Sequence, residues 1–298
     1  MSVTELRSVP ASAASPKTTV STLLQKKHKA EPITALTAYD YAIARIVDEA
    51  GVDVVLVGDS LAMVVMGHES TMAVTVDEML HHTRAVRRAV KRALLVADMP
   101  FGSYQVSNAD GVANAVRFLK EAGAEAVKIE GARPQLVERL TAAEIPVFGH
   151  LGLTPQSIHR MSGYKVQGKS RSAVKELRAA AKDLEHAGAC ALVLEGMPRE
   201  LAAEITAELE VPTIGIGAGP DCDGQILVSY DLLNLTFAPP AKFVRRYGDA
   251  ASLIRTAVAA FREDVVSRQY PTDAESYHLP EEARVALEAQ APHHRQKA

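Results

Sequence analysis

Three stretches of this chain repeat one pattern: DEAGVDVVLVGDS from Asp48, KEAGAEAVKIEG from Lys120 and EHAGACALVLEG from Glu185 each run from Ala-Gly through an apolar stretch to a carboxylate. In FLKEAGAEAVKIEG a charged amphipathic run stops at Gly123, a residue suited to the left-handed position after a helix, and a Val/Ile-rich strand begins three residues later. The same reading holds at Gly51 and Gly188, so helix, tight turn and buried strand recur. Further apolar runs, PITALTAY, ALLVADMPF, IPVFGHLGL, VPTIGIGAG and a weaker LLNLTFA, bring the candidate strands to eight. Helical patterns over 76–93, 109–122 and 172–187 lie between them. Such alternation implies parallel strands joined by right-handed helical crossovers. Eight units in about 250 residues suit a closed (β/α)8 TIM-type barrel, a single α/β domain, better than the alternative of an open doubly wound sheet. With 298 residues, 47% of them hydrophobic, the chain is long enough to fill that core.

A net charge of −3 gives no reason to expect nucleic acid or an anionic membrane as partner, since both leave a clustered basic excess. Small molecules and other subunits are the expected partners. The two cysteines, Cys190 and Cys222, stand far apart, which argues against a disulfide framework and a zinc cluster and fits a reducing cytoplasm. Residues 1–20 lack the apolar core of a signal peptide and read as a flexible arm. Residues 21–270 hold the barrel, and 271–298 an extension of surface helix and tail in which His293, His294, Arg295 and Lys297 read as solvated. No stretch approaches the roughly 20 apolar residues that cross a bilayer.

In a barrel the strand ends nearest the following helices form the active-site face. Asp59, Asp98, Glu130 and Glu195 all close apolar runs at that end, and Lys128, two residues before Glu130, points to the same face. Each acid taken singly also suits a cap for the next helix. Four of them beside a lysine inside an apolar strand suit a site better, because a buried lysine is costly without a charge partner. A hard, oxygen-rich set of this kind matches Mg2+ or a similar divalent ion. Such an ion in a barrel mouth chelates a 2-oxo acid through its carboxylate and keto oxygens and acidifies the neighbouring C–H, leaving one carboxylate as base.

Other features carry less. His150 falls at a strand end and serves either as an accessory group at the mouth or as a structural hydrogen-bond partner. GIGAGPDCDG does not match the dinucleotide fingerprint G-x-G-x-x-G and reads as tight backbone packing around a ligand. HHTRAVRRAVKR, over 81–92, reads as a solvated helix face, with a hold on the acidic tail of a ligand as the weaker alternative.

The stretches TAYDY, VGDSLAMVVMGHEST, ADMPFGSY, VKIEG, FGHLGLTPQS, GYKVQG, LVLEGMP and IGIGAGPDCDGQILV, in this order from about Thr18 to Tyr270, resemble the ketopantoate (3-methyl-2-oxobutanoate) hydroxymethyltransferase family. The resemblance implies a Mg2+-dependent (β/α)8 barrel. It would transfer a one-carbon unit from 5,10-methylenetetrahydrofolate to 3-methyl-2-oxobutanoate, giving 2-dehydropantoate on the way to pantothenate and coenzyme A. It further implies a homodecamer of two pentameric rings. Carried over residue by residue, it makes Asp59, Asp98 and Glu130 the metal ligands, Asp59, Ser60, Asp98 and Lys128 the contacts to the 2-oxo acid, and Glu195 the proton acceptor. The departures lie at the two ends and in GPDCDG, away from those positions. Two other readings stay open: a Mg2+-dependent 2-oxo-acid barrel of the phosphoenolpyruvate mutase or isocitrate lyase type, against which the missing KKCGH motif counts, and a non-catalytic metabolite-binding barrel, against which the complete set of acids counts.

Overall fold

The computed structural model describes residues 16–161 and 163–290, so the expectations for residues 1–15 and for His293, His294, Arg295 and Lys297 lie outside the described residues. The first half runs α1 (Val20–His28), β1 (Ile33–Thr37), α2 (Tyr41–Glu49), β2 (Val54–Val57), α3 (Leu61–Val64), α4 (Val76–Ala89), β3 (Leu94–Asp98), α5 (Asn108–Lys120) and β4 (Ala126–Glu130). The second continues with α6 (Pro134–Ala142), β5 (Val147–Gly152), α7 (Ile158–Met161), α8 (Arg171–His186), β6 (Ala191–Glu195), α9 (Arg199–Glu208), β7 (Thr213–Ile216), β8 (Gly224–Leu227) and α10 (Ser229–Leu232). All eight strands are parallel and close in the order β1 to β8, with β8 paired back onto β1, which is the expected single (β/α)8 barrel. Two helices, α11 (Ala250–Val266) and α12 (Glu281–Gln290), belong to a second compact unit that begins at Asp249.

The Ala-Gly phrases turn where their glycines permit: Gly51, Gly123 and Gly188 have φ of +86°, +73° and +100°, a region that costs other L-residues strain. The helix expected over 76–93 ends at Ala89, and the carboxylate of Asp48 takes the chain over from there. Asp48 accepts the backbone N–H groups of Lys91 (2.9 Å), Arg92 (3.0 Å) and Ala93 (2.8 Å), steering the chain into β3.

One strand differs from expectation. LLNLTFA is not the eighth strand; GQIL, residues Gly224–Leu227, is. Its apolar signal is hidden by a glycine and the exposed Gln225, and the glycine is needed because a Cβ at Gly224 would lie 2.5 Å from the Ile33 carbonyl oxygen of β1.

Inside the barrel, Ile33, Val54, Leu94, Val96, Phe148 and Ile214 stack with their neighbours into one apolar cluster that also takes in Leu23 of α1. Helix α1 thereby closes the end where the strands begin. Lys26 pairs there with Asp53 at 2.6 Å and Lys27 with Asp223 at 2.8 Å, while Lys17 binds Glu125 at 2.7 Å. The opposite end stays open as a mouth. Among the described residues no helix is long and apolar enough to cross a membrane. In α11, Ile254, Val258, Phe261 and Val265 are all exposed at helical spacing.

Replacing Asp48 by Ala is expected to lower stability by about 2–4 kcal/mol, because three backbone donors lose their shared acceptor. Urea denaturation measures it, and a loss below about 0.5 kcal/mol would overturn the role given to this carboxylate.

Candidate active site

The strand register brings the predicted residues together. Asp98 ends β3 opposite Lys128 of β4, and Glu130 ends β4 opposite His150 of β5. Lys128 Nζ lies 2.7 Å from Asp98 Oδ1. His150 bridges two acids, with Nδ1 3.5 Å from Glu130 Oε1 and Nε2 3.2 Å from Glu195 Oε2. Asp59, two residues beyond β2, donates its backbone N–H to Asp98 Oδ2 at 3.1 Å. The remaining predicted contact, Ser60, is held by the Tyr39 hydroxyl at 2.9 Å. All seven residues line one cavity of about 180 Å³ in the mouth. Gly152, at φ +94°, makes room for this: a Cβ there would overlap the carbonyl oxygen of Glu195.

The charges are set by burial and by one another. Burial drives the Asp59 carboxyl well above its ordinary range, with Asp98 and Glu130 adding to the push. Burial raises Asp98 too, against the pull of Lys128. At Glu130 burial also disfavours charge, but His150, Lys128 and the Gln156 N–H outweigh it and hold the carboxyl below its ordinary range. For Lys128 burial is outweighed by the three acids, so the ammonium is retained. Burial and Lys128 oppose a charge on His150, yet Glu130 and Glu195 raise it to about 9. His150 is therefore an imidazolium at neutral pH, and the 3.3 Å approach of Lys128 Nζ to its Nδ1 is repulsive, offset by the surrounding acids.

Sequence reasoning missed the residues that tie the acids down. Gln156, in the quoted FGHLGLTPQS, donates from Nε2 to Asp59 Oδ2 (2.9 Å) and to the Met99 carbonyl (3.0 Å), and its backbone N–H goes to Glu130 Oε2 at 2.9 Å. Tyr104 donates to Gln156 Oε1 at 2.6 Å and accepts the Glu130 N–H at 3.0 Å. Both are buried polar side chains, Tyr104 in a loop and Gln156 in a single 3-10 turn (Pro155–Ser157), where no periodicity marks them. In GIGAGPDCDG no helix opens after the glycines, and a Cβ at Gly217 would lie 2.5 Å from the Phe243 ring. On α4, Arg87 pairs with Glu125 at 3.6 Å and Arg84 approaches Glu121 at 4.0 Å, so these cations face helix-borne acids or loops beside the barrel.

A divalent ion fits this donor set as an open site. Glu130 Oε1 is buried without a hydrogen-bond partner, and Asp59 and Asp98 offer further hard oxygens to the same cavity. Among the described residues no three His, Cys, Asp or Glu side chains are gathered closely enough to hold a metal ion by themselves, so water or substrate oxygens would have to complete the shell. That suits Mg2+, which keeps water or substrate oxygens in its shell, better than zinc. Around the mouth polar groups run from Thr37 of β1 to Glu195 of β6. The arc of β7 and β8 is apolar, with Ile216, Ile226, Leu227, Val228 and Phe243, and carries one acid, Asp231.

Comparison with known proteins bears on this arrangement. A family model described as ketopantoate hydroxymethyltransferase matches residues 17–273. A protein of Koribacter versatilis named 3-methyl-2-oxobutanoate hydroxymethyltransferase is 66% identical over 91% of this chain and 93% of its own. One of the same name from Gloeobacter violaceus is 57% identical over 83% of this chain and 95% of its own. Among solved structures, a putative phosphonomutase from Burkholderia cenocepacia superposes with a TM-score of 0.59 at 13% identity, covering 82% of this chain and 98% of its own. At that identity the likeness is one of fold.

Gln156→Leu is expected to cost about 2–4 kcal/mol, since Asp59, Met99 O and Tyr104 each lose a partner inside the protein. Denaturant midpoints read this directly. An unchanged midpoint would show that the bridge does not hold the acids.

Proposed function

The chain belongs to the ketopantoate hydroxymethyltransferase family, and on that premise we propose how its site carries out the reaction. The enzyme is a one-carbon transferase that places a hydroxymethyl group on 3-methyl-2-oxobutanoate, giving 2-dehydropantoate in pantothenate and coenzyme A biosynthesis. The observation that carries this reading is the 66% identity that extends over 91% of the chain. The fold shared with a phosphonomutase at 13% identity does not favour another reaction.

We take 5,10-methylenetetrahydrofolate as the donor and Asp59, Asp98 and Glu130 as the holders of Mg2+. When bound, the ion would polarise the keto group of the 2-oxo acid and so acidify its C3–H. Ser60, oriented by Tyr39, donates a hydrogen bond to the substrate, and Lys128, kept charged by Asp98, opposes the substrate's carboxylate. Glu195 closes β6 at the cavity and accepts the C3 proton. His150, cationic and 3.2 Å from Glu195, holds that carboxylate in place as a positioning residue. Water adds at the methylene carbon of the folate, whose bonds to N5 and N10 break as the two nitrogens take up water's protons, so that tetrahydrofolate and formaldehyde result; the enolate carbon then adds to the formaldehyde carbon, and the alkoxide oxygen takes the proton held by Glu195. The free thiols of Cys190 and Cys222 fit a cytoplasmic setting. The exposed apolar row on α11 supports assembly into a homo-oligomer, a decamer on family resemblance.

Asp59→Ala, Asp98→Ala and Glu130→Ala are each expected to weaken Mg2+ binding in a calorimetric titration while the barrel stays folded. Unchanged affinity in two of the three would sink the ligand assignment.

Glu195→Gln is expected to keep Mg2+ and 2-oxo-acid affinity while turnover falls by about 10²–10⁴, the usual contribution of a general base. In D2O without folate, NMR should show the wild type exchanging the C3 hydrogen of 3-methyl-2-oxobutanoate and the variant failing to. Exchange at the wild-type rate in Glu195→Gln would place the base elsewhere.

A further inference from the structure

The reaction as derived uses only the β2 to β6 arc of the mouth. The remaining arc has a different chemistry: apolar side chains from β7, β8 and Phe243, interrupted by the carboxylate of Asp231. Nothing in the reaction at the 2-oxo acid calls for that acid. Among the described residues its carboxylate makes no hydrogen bond or ion pair. Its place is nevertheless well defined. The turn from β8 into α10 is pinned where Ser229 donates its N–H to Thr37 Oγ1 at 3.0 Å. The ring of Tyr230 also packs edge-on against Tyr39 at 5.5 Å, and Tyr39 in turn holds Ser60. The acid is thus carried on the same framework that orients the substrate contact.

Resting on the folate-dependent reading above, we propose that Asp231 and the apolar β7–β8 arc bind the pterin ring of the folate, with Asp231 reading the ring's donor edge. A flat ring system takes apolar walls. Its 2-amino group and N3–H present two adjacent donors, which a carboxylate with two acceptor oxygens matches in a bidentate manner. N5, which bears the transferred methylene, lies toward the other end of the ring's long axis. Anchoring the donor edge at Asp231 therefore turns the methylene back toward Glu195 and the 2-oxo acid across the cavity. An acid at the start of a short helix that merely supported the turn would have no preference for the ligand's donors.

The test compares tetrahydrofolate with its 2-desamino-2-methyl analogue, binding each by calorimetry to the wild type, Asp231→Asn and Asp231→Ala. The wild type should favour tetrahydrofolate by about 10–100-fold, the range of charge-assisted hydrogen bonds, and Asp231→Ala should bind the two alike, with Asp231→Asn between. In steady state, KM for the methylene donor should rise about 10-fold or more in Asp231→Ala, while KM for 3-methyl-2-oxobutanoate stays within twofold. Discrimination of the analogue that persists in Asp231→Ala, or a rise in both KM values together, overturns the assignment while leaving the reaction intact. A wild type that exchanges the C3 hydrogen yet uses no folate overturns the donor and this subsite together.

Discussion

A lysine buried in the middle of an apolar strand is the constraint around which this mouth is organised. Lys128 lies between Val127 and Ile129, both fully buried, and is itself buried, so its charge is costly without a partner. Parallel register places Asp98 directly beside it, and the 2.7 Å contact makes the charge tolerable. One acid cannot satisfy the rest of the cluster. Asp59 and Glu130 share the field of Lys128, and His150 takes on a proton between Glu130 and Glu195. Of these contacts the Asp98 ion pair is the one that directly offsets the buried ammonium.

That arrangement also explains why one end of the barrel reacts and the other does not. At the strand starts, Leu23 fills the bore and the ion pairs of Lys26 and Lys27 seal the rim. At the strand ends acids are gathered beyond what Lys128 and His150 satisfy: Glu130 Oε1 accepts no hydrogen bond, and burial, with Asp98 and Glu130 adding to it, presses Asp59 toward protonation. A cation together with an anionic substrate relieves both conditions at once. The site is thus built to be completed by what it binds, as hard-ion sites with few protein ligands are.

Much of this was legible in the chain itself. The three Ala-Gly phrases foretold a turn and a buried strand each time, because a left-handed glycine after a helix and a β-branched run are local necessities. The acids at Asp59, Asp98, Glu130 and Glu195 were found for the same local reason, each ending an apolar run. The eighth strand escaped that logic. Gly224 and Gln225 lower its hydrophobicity, since a side chain at 224 would strike β1 and Gln225 is exposed, whereas the more apolar LLNLTFA packs as a helix end and loop.

What the sequence by itself determined was the alternation of elements, hence the barrel, and the list of acids that reach its mouth. Tertiary structure alone decided who meets whom. His150 joins Glu130 to Glu195 because β5 lies between β4 and β6, a neighbourhood that strand order and register create across separations of 20 and 45 residues. Gln156 reaches Asp59 across 97 residues from a single 3-10 turn too short to carry a pattern of its own. The division of the mouth into a charged arc and an apolar arc likewise has no linear signature. Periodicity records which face a side chain takes within its own element, while the partner on that face is fixed only when the sheet closes.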